Sequence, residues 1–321
     1  MTFRFHCCPS TVWKLALLGV AAVFFPASVY SQASPQEPTE LFGPVSELVI
    51  EERILSGSTA SSHGAGTRRE VLRFEKGVLV EQANYIPENK LLWRSIFDYN
   101  SDGRLSGWTS LDDGGNQRWR YEYRYTDTGL IEREIARGAG DSIEEIRVYE
   151  YQEDRMQEET LYGAGNQVRW RKAYRYDEEE RTRSWSVFHS DGTRIKHVEE
   201  EFDQRGRIIR EAHTDGLGAV YKEVFYDYSV WDAPVRVEVF DETGTLVRYE
   251  EYELDATGNI IAEEITREGE ERKVQVLREY SYDSYGNWTS RRTRSLVRTE
   301  DTREVTREML VTREITYRDG G

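Results

Sequence analysis

The sequence predicts an all-β protein: an antiparallel β-hairpin repeat array of about eight units of roughly 26 residues, elongated or curled into one sheet. Three observations lead there. First, an aromatic residue, once replaced by leucine, is followed four positions later by a turn position. The pairs are Tyr99 with Gly103, Tyr125 with Gly129, Tyr151 with Arg155, Tyr176 with Glu180, Phe202 with Gly206, Tyr228 with Asp232, Leu254 with Gly258 and Tyr282 with Gly286. Their turn positions are separated by 26, 26, 25, 26, 26, 26 and 28 residues. Second, another set of glycines lies roughly midway, among them Gly115, Gly140, Gly192, Gly218, Gly244 and Gly269, so each unit holds two strands and two turns. Third, side chains alternate with period two between the turns. Trp119, Tyr121, Tyr123 and Tyr125 share one face while Arg118, Arg120, Glu122 and Arg124 share the other, the pattern of a half-buried antiparallel strand.

Taken in order, the chain opens with an export signal over residues 1–31. Arg4 and Lys14 are the only charges before Glu37, an apolar run extends from Leu15 to Ala27, and the small residues Val29 and Ser31 precede Gln32. Cleavage after Ser31 or after Ala33 fits this pattern. The apolar run is short for a membrane span, so no integral span is expected in the mature chain. Cys7 and Cys8 leave with the signal, so the mature chain has neither disulfide nor thiol nucleophile.

Residues 32–44, with Pro35, Pro38 and Pro44, read as a flexible lead-in to a single β domain over 45–318. Ile50 to Leu55 and Arg69 to Leu79 are early strands around a Ser, Gly and Ala loop at 56–66. Turns such as Asp102-Gly103 and Asp191-Gly192 supply the positive φ that tight hairpins need. At Arg155 and Glu180 the glycine is gone, and a different turn type or a looser loop is expected. Residues 291–317 form a terminal hairpin turning near Glu300-Asp301, with a helical cap as the alternative. Lys172 and Arg278 fall on aromatic faces, where long stems can cover rings while the charged end reaches water. The pattern leaves closure into a barrel-like form open, which would remove both sheet edges. Neither face is continuously apolar, as a lipid-facing band would be.

Composition narrows the function classes. The formal charge is −16, and −18 once Arg4 and Lys14 leave, which disfavours nucleic acid because phosphate binding calls for a basic stripe. With 32% charged residues, twenty tyrosines and eight tryptophans, the chain reads as a charged sheet with an aromatic face.

No constellation of catalytic residues stands out, so the chain reads as non-enzymatic and calls for no cofactor. His189, His197 and His213 lie within 25 residues and are the candidate metal ligands, although they lack the short spacing of a zinc site; His63 stands apart. Glu178-Glu179-Glu180 and Glu199-Glu200-Glu201 could supply the paired carboxylates of a hydrolase if they faced each other across a groove. Trp231 and Trp288 are the candidate ligand anchors, because both sit beside turns and outside the regular alternation.

Aromatic-Asp phrases at Tyr176-Asp177, Phe202-Asp203, Tyr226-Asp227 and Tyr282-Asp283 resemble the YD repeats of the RHS type, and the chain is also similar to MORN-like repeats of exported bacterial proteins. The resemblance covers roughly residues 70–317 and implies an exported repeat protein of a Gram-negative bacterium, in the periplasm or on the outer surface. The leading expectation is a protein that binds a protein or glycan partner of the cell envelope through a sheet face or groove. The alternatives are a periplasmic carrier or chaperone for an apolar ligand, using the inner face of a curled sheet, and a carboxylate-based hydrolase.

Overall fold

The computed structural model describes residues 41–57, 68–299 and 302–318. The signal segment, most of the lead-in, the loop from residue 58 onward with His63, and Glu300-Asp301 lie outside the described residues. Twenty strands succeed one another: β1 (Val45–Gly57), β2 (Arg68–Glu75), β3 (Val78–Ile86), β4 (Lys90–Tyr99), β5 (Leu105–Asp112), β6 (Gln117–Tyr125), β7 (Ile131–Arg137), β8 (Ile143–Gln152), β9 (Arg155–Gly163), β10 (Val168–Asp177), β11 (Thr182–His189), β12 (Arg194–Phe202), β13 (Ile208–Asp215), β14 (Val220–Tyr228), β15 (Pro234–Asp241), β16 (Leu246–Leu254), β17 (Ile260–Arg267), β18 (Lys273–Tyr282), β19 (Trp288–Arg298) and β20 (Arg303–Tyr317). A short 3-10 turn at Pro87–Asn89 joins β3 to β4.

Each strand pairs antiparallel with its neighbours in chain order, and β20 pairs with β1 from Val45↔Tyr317 to Gly57↔Arg307. The sheet therefore closes on itself. This corrects the expected elongated array of about eight hairpin units: the molecule is one continuous twenty-stranded barrel. It equally corrects the YD/RHS and MORN-like assignment, because the aromatic-Asp phrases arise from the geometry of the barrel rim. Closure is physically favourable because it leaves no row of unpaired backbone groups at an edge.

The rim explains the spacing. Even-numbered strands all run one way, so they end together at one rim, and the inward residues there are Phe74, Tyr99, Tyr125, Tyr151, Tyr176, Phe202, Tyr228, Leu254, Tyr282 and Tyr317. Several of these hydroxyls donate back to the preceding hairpin. Tyr99 bonds the Leu79 carbonyl at 2.7 Å, Tyr125 that of Leu105 at 2.6 Å, Tyr151 that of Ile131 at 2.9 Å, Tyr176 that of Met156 at 2.9 Å and Tyr228 that of Ile208 at 2.6 Å. Each such tyrosine ties one hairpin to the one before it.

The residue after the aromatic caps the turn. Asp203 Oδ1 accepts from the amides of Arg205 (2.8 Å) and Arg207 (3.0 Å), and Asp283 Oδ1 accepts from those of Tyr285 (2.9 Å) and Asn287 (3.0 Å). This is ordinary Asx-turn chemistry. Before Arg155 the glycine is replaced by a tighter turn in which Glu153 and Asp154 both take positive φ, 49° and 63°.

Register carries one row of side chains around the wall. Tyr121 faces Ala136, Glu134 faces Arg147, Glu159 faces Lys172, Tyr174 faces Trp185, and Trp185 faces Val198, which faces His213. This is the more buried row, holding Tyr123, Tyr149, Leu161, Val224, Tyr226 and Tyr252, and in a closed sheet it is the inner face. Its densest apolar packing lies across β14–β17 (Val224, Tyr226, Val237, Tyr252, Ile260) and β6–β8 (Tyr123, Ile131, Tyr149).

The opposite row faces outward and is ruled by ion pairs. Arg73 bridges Glu47 (3.1 Å) and Glu81 (3.2 Å), Arg137 meets Glu122 (3.2 Å), Arg171 meets Glu158 (3.3 Å), and Arg294 bridges Glu279 (3.1 Å) and Glu308 (2.9 Å). Singly such pairs contribute little.

Candidate functional site on the inner wall

With β20 paired to β1, the inner row forms one continuous lining of the barrel interior. That lining is unusually aromatic. Trp93, Trp108, Trp119, Trp170, Trp185 and Trp288 all fall on it, together with the rim tyrosines. Trp108 stacks on Tyr121 with ring centroids 4.5 Å apart and donates its indole N–H to the Tyr123 hydroxyl at 3.2 Å.

A belt of charge interrupts the aromatic wall. On β7 to β10 the signs alternate: Glu134, Arg147, Glu159, Lys172. Arg147 lies 3.3 Å from Glu159, and Tyr149 donates to Glu134 at 3.2 Å. Farther round, Glu200 takes Arg183 Nε at 2.6 Å and the Trp185 indole N–H at 2.9 Å. Glu211 lies 2.9 Å from His213, Glu250 is held by Arg248 and Tyr252, and Glu263 meets Arg278 at 2.9 Å. Charges removed from water persist when opposite charges and hydrogen bonds compensate them. Burial still acts on individual groups, pushing the Glu134 and Glu70 carboxyls up and drawing the Lys172 ammonium down to about 8.

The residues singled out from sequence occupy different places. Trp288 is buried on the inner wall, with the Arg313 guanidinium 3.4 Å from its ring centroid and the Tyr280 ring edge-on at 6.0 Å. Trp231 stands exposed in the β14–β15 rim turn and packs over Gly258 of the next rim turn. His213 is buried on the inner wall, while His197 is on the outer face with its Nδ1 2.9 Å from the Ser186 hydroxyl. His189 ends β11 at the opposite rim. The three histidines are thus spread across both faces, and among the described residues no group of three or more His, Cys, Asp or Glu is gathered to hold a metal.

The carboxylate runs are likewise divided. Glu178 to Glu180 belong to a rim turn, while Glu200 points inward and Glu199 and Glu201 outward. Sequence reasoning missed Glu134, Arg147, Glu159 and Glu250 as a set. The available signal was charge on the aromatic register, already visible at Lys172 and Arg278.

The expected protein or glycan partner bound by an open sheet face or groove is corrected here. The closed sheet has no open inner face to offer from the side, and the outer face spends its charges on its own cross-strand pairs.

No protein-family model matches the chain, and no curated protein matches it. Among solved structures, a porin-like protein from Bacteroides uniformis is 11% identical, with a TM-score of 0.38 over 86% of this chain and 99% of that one. A TcdB2-TccC3-TEV structure is 10% identical, with a TM-score of 0.31 over 80% of this chain and 18% of that one. A protein with unknown function from Bacteroides fragilis is 11% identical, with a TM-score of 0.20 over 51% of this chain and 92% of that one. Likenesses at this level lend no activity to the chain. The closed-barrel fold is itself consistent with a place in the cell envelope.

Proposed function

We propose that this chain is an exported carrier of the Gram-negative cell envelope, acting in the periplasm, that houses an apolar or amphipathic solute inside its barrel. The observation that carries the reading is the sidedness of the closed wall. Tryptophans and most tyrosines face inward beside compensated charges, whereas the outer row carries exposed cross-strand Arg–Glu pairs among apolar residues such as Ile135, Ile146 and Phe225. An apolar ligand gains most from leaving water for a concave aromatic lining with a few placed polar groups. A membrane channel requires the opposite arrangement, with an apolar band about 25 Å tall on the outside. Charge rows on the outer face argue for a barrel surrounded by water.

The test uses the chain from residue 32 onward with the neutral dye N-phenyl-1-naphthylamine. Saturable fluorescence enhancement, with energy transfer from the inner tryptophans, is expected. Absence of saturable binding by the folded protein would sink the carrier reading. Stepwise conductance in a planar lipid bilayer would replace it with a channel.

A further inference from the structure

Two lysines on the inner wall, Lys172 of the charged belt and Lys196 beyond it, meet at one tryptophan. Lys172 on β10 and Lys196 on β12 both lie directly opposite Val187 of the strand between them, so all three side chains share the inner face. Their ammonium groups converge on one ring: Lys172 Nζ is 4.0 Å and Lys196 Nζ 4.5 Å from the Trp185 centroid. Lys172 also lies 4.7 Å from the Tyr174 ring. Among the described residues neither lysine forms an ion pair.

The nearest carboxylates, Glu159, Glu200 and Glu211, favour the charged lysines from a distance but have their direct partners elsewhere, Glu211 with His213 at 2.9 Å. Glu159 is with Arg147 at 3.3 Å, and Glu200 is with Arg183 and the Trp185 N–H. Asp215, opposite Lys196, accepts the turn amides of Leu217 and Ala219, each at 2.9 Å. Lys222 of β14 adds a third positive charge on the same face, opposite His213. Burial lowers the affinity of Lys172 and Lys196 for their protons, opposed by Glu159 and Glu200 at Lys172 and by Glu211 at Lys196.

We infer that Lys172 and Lys196, flanking Trp185, form the head-group site for an amphipathic anion whose apolar body lies along the aromatic inner wall. The assignment presupposes a ligand inside the barrel. A carboxylate or phosphate reaching these ammonium groups would add counter-charge and a direct partner to lysines that Glu159, Glu200 and Glu211 act on only at a distance, in surroundings where charge-assisted hydrogen bonds are strong. The rings already in place hold the lysine ammonium groups and would cover the first carbons of the ligand.

Affinity is read from inner-wall tryptophan fluorescence and calorimetry, with dodecanoate, dodecyl phosphate, dodecanol and dodecyltrimethylammonium as probes. Wild-type protein is expected to bind at least one anion tenfold or more tightly than dodecanol, and the cation weakest. The better of dodecanoate and dodecyl phosphate names the head group. The Lys172→Met/Lys196→Met double variant should bind dodecanol as before and lose the anion preference. Equal affinity of wild-type protein for dodecanol and both anions would overturn the head-group site while leaving the carrier reading intact. Binding of none of the four overturns both. The wild-type comparison stands alone should the double variant fail to fold.

Discussion

Phe42 and Asn287 lie 245 positions apart in the chain and hold each other by a reciprocal pair of hydrogen bonds. The Phe42 amide donates to Asn287 Oδ1 at 2.7 Å, and Asn287 Nδ2 donates to the Phe42 carbonyl at 2.8 Å. The same Nδ2 reaches the Tyr317 hydroxyl at 2.7 Å, and Tyr317 in turn donates to Asp283. Asn287 is 2% exposed, so these groups have little water to replace their partners. Asn287→Ala should therefore cost about 2–3 kcal/mol, from the loss of a buried polar cluster. Thermal denaturation of the variant checks this. A melting curve superimposable on that of the wild type would show that the seam between first and last strands does not rest on this side chain.

The rim tyrosines make a graded prediction. Tyr125→Phe removes only the bond to the Leu105 carbonyl and should cost about 1 kcal/mol. Tyr125→Ala also opens a cavity beside Ile131 and should cost about 3–5 kcal/mol. Equal losses in urea unfolding of the two variants would mean that the hydroxyl, and not the ring, carries the contact.

A glycine in β5 is required by a close approach. A Cβ built on Gly107 would come 2.5 Å from the Tyr121 carbonyl oxygen in β6, too close for the ladder to keep its geometry. Gly107→Val, which is otherwise a good strand residue, should destabilise the barrel by about 1–3 kcal/mol. Gain of stability in chemical denaturation would contradict it.

Lys172 supplies a pH signature. Burial brings its pKa from 10.5 to about 8, so between those values the unfolded chain holds the proton and the folded chain releases it. Stability contributed by this site must rise with pH through that window. Lys172→Met removes the titration, and the difference in unfolding free energy between wild type and variant should move in favour of wild type from about pH 8 to about pH 10. A pH-independent difference would place Lys172 in ordinary solvation.

The outer ion-pair rows predict partitioning. In Triton X-114 phase separation the chain from residue 32 onward should stay in the aqueous phase. Recovery in the detergent phase would mean that lipid, not water, meets Arg73, Arg137 and Arg294.

Strand positions and the inward face were legible because period-two alternation is local. Trp119, Tyr121, Tyr123 and Tyr125 declare one face without reference to any other strand. Closure was not legible, since the pairing of Val45 with Tyr317 depends on how twist and tilt accumulate over twenty strands, which no window of sequence reports. The aromatic-Asp phrases misled for a related reason. An inward rim aromatic with an Asx cap after it is what a turn such as Phe202-Asp203 needs in any large antiparallel wall. The inner site was half legible: Lys172 betrayed itself as a charge on an aromatic register, but its neighbour Lys196 is brought beside Trp185 only by the ladder between β11 and β12.

The ladder that joins β1 to β20 also sets the order of events during maturation. Every other pairing joins segments adjacent in sequence and can zip up as the chain emerges, whereas this one waits for the last strand. Until then β1 and the growing end each present an open edge, the form in which strand proteins pair with the wrong partner. Non-local pairing is also the slow kind. A chain translocated from its N-terminus would spend its most vulnerable interval with an open barrel in the receiving compartment, so the demand on folding assistance falls after translocation, at the moment of closure.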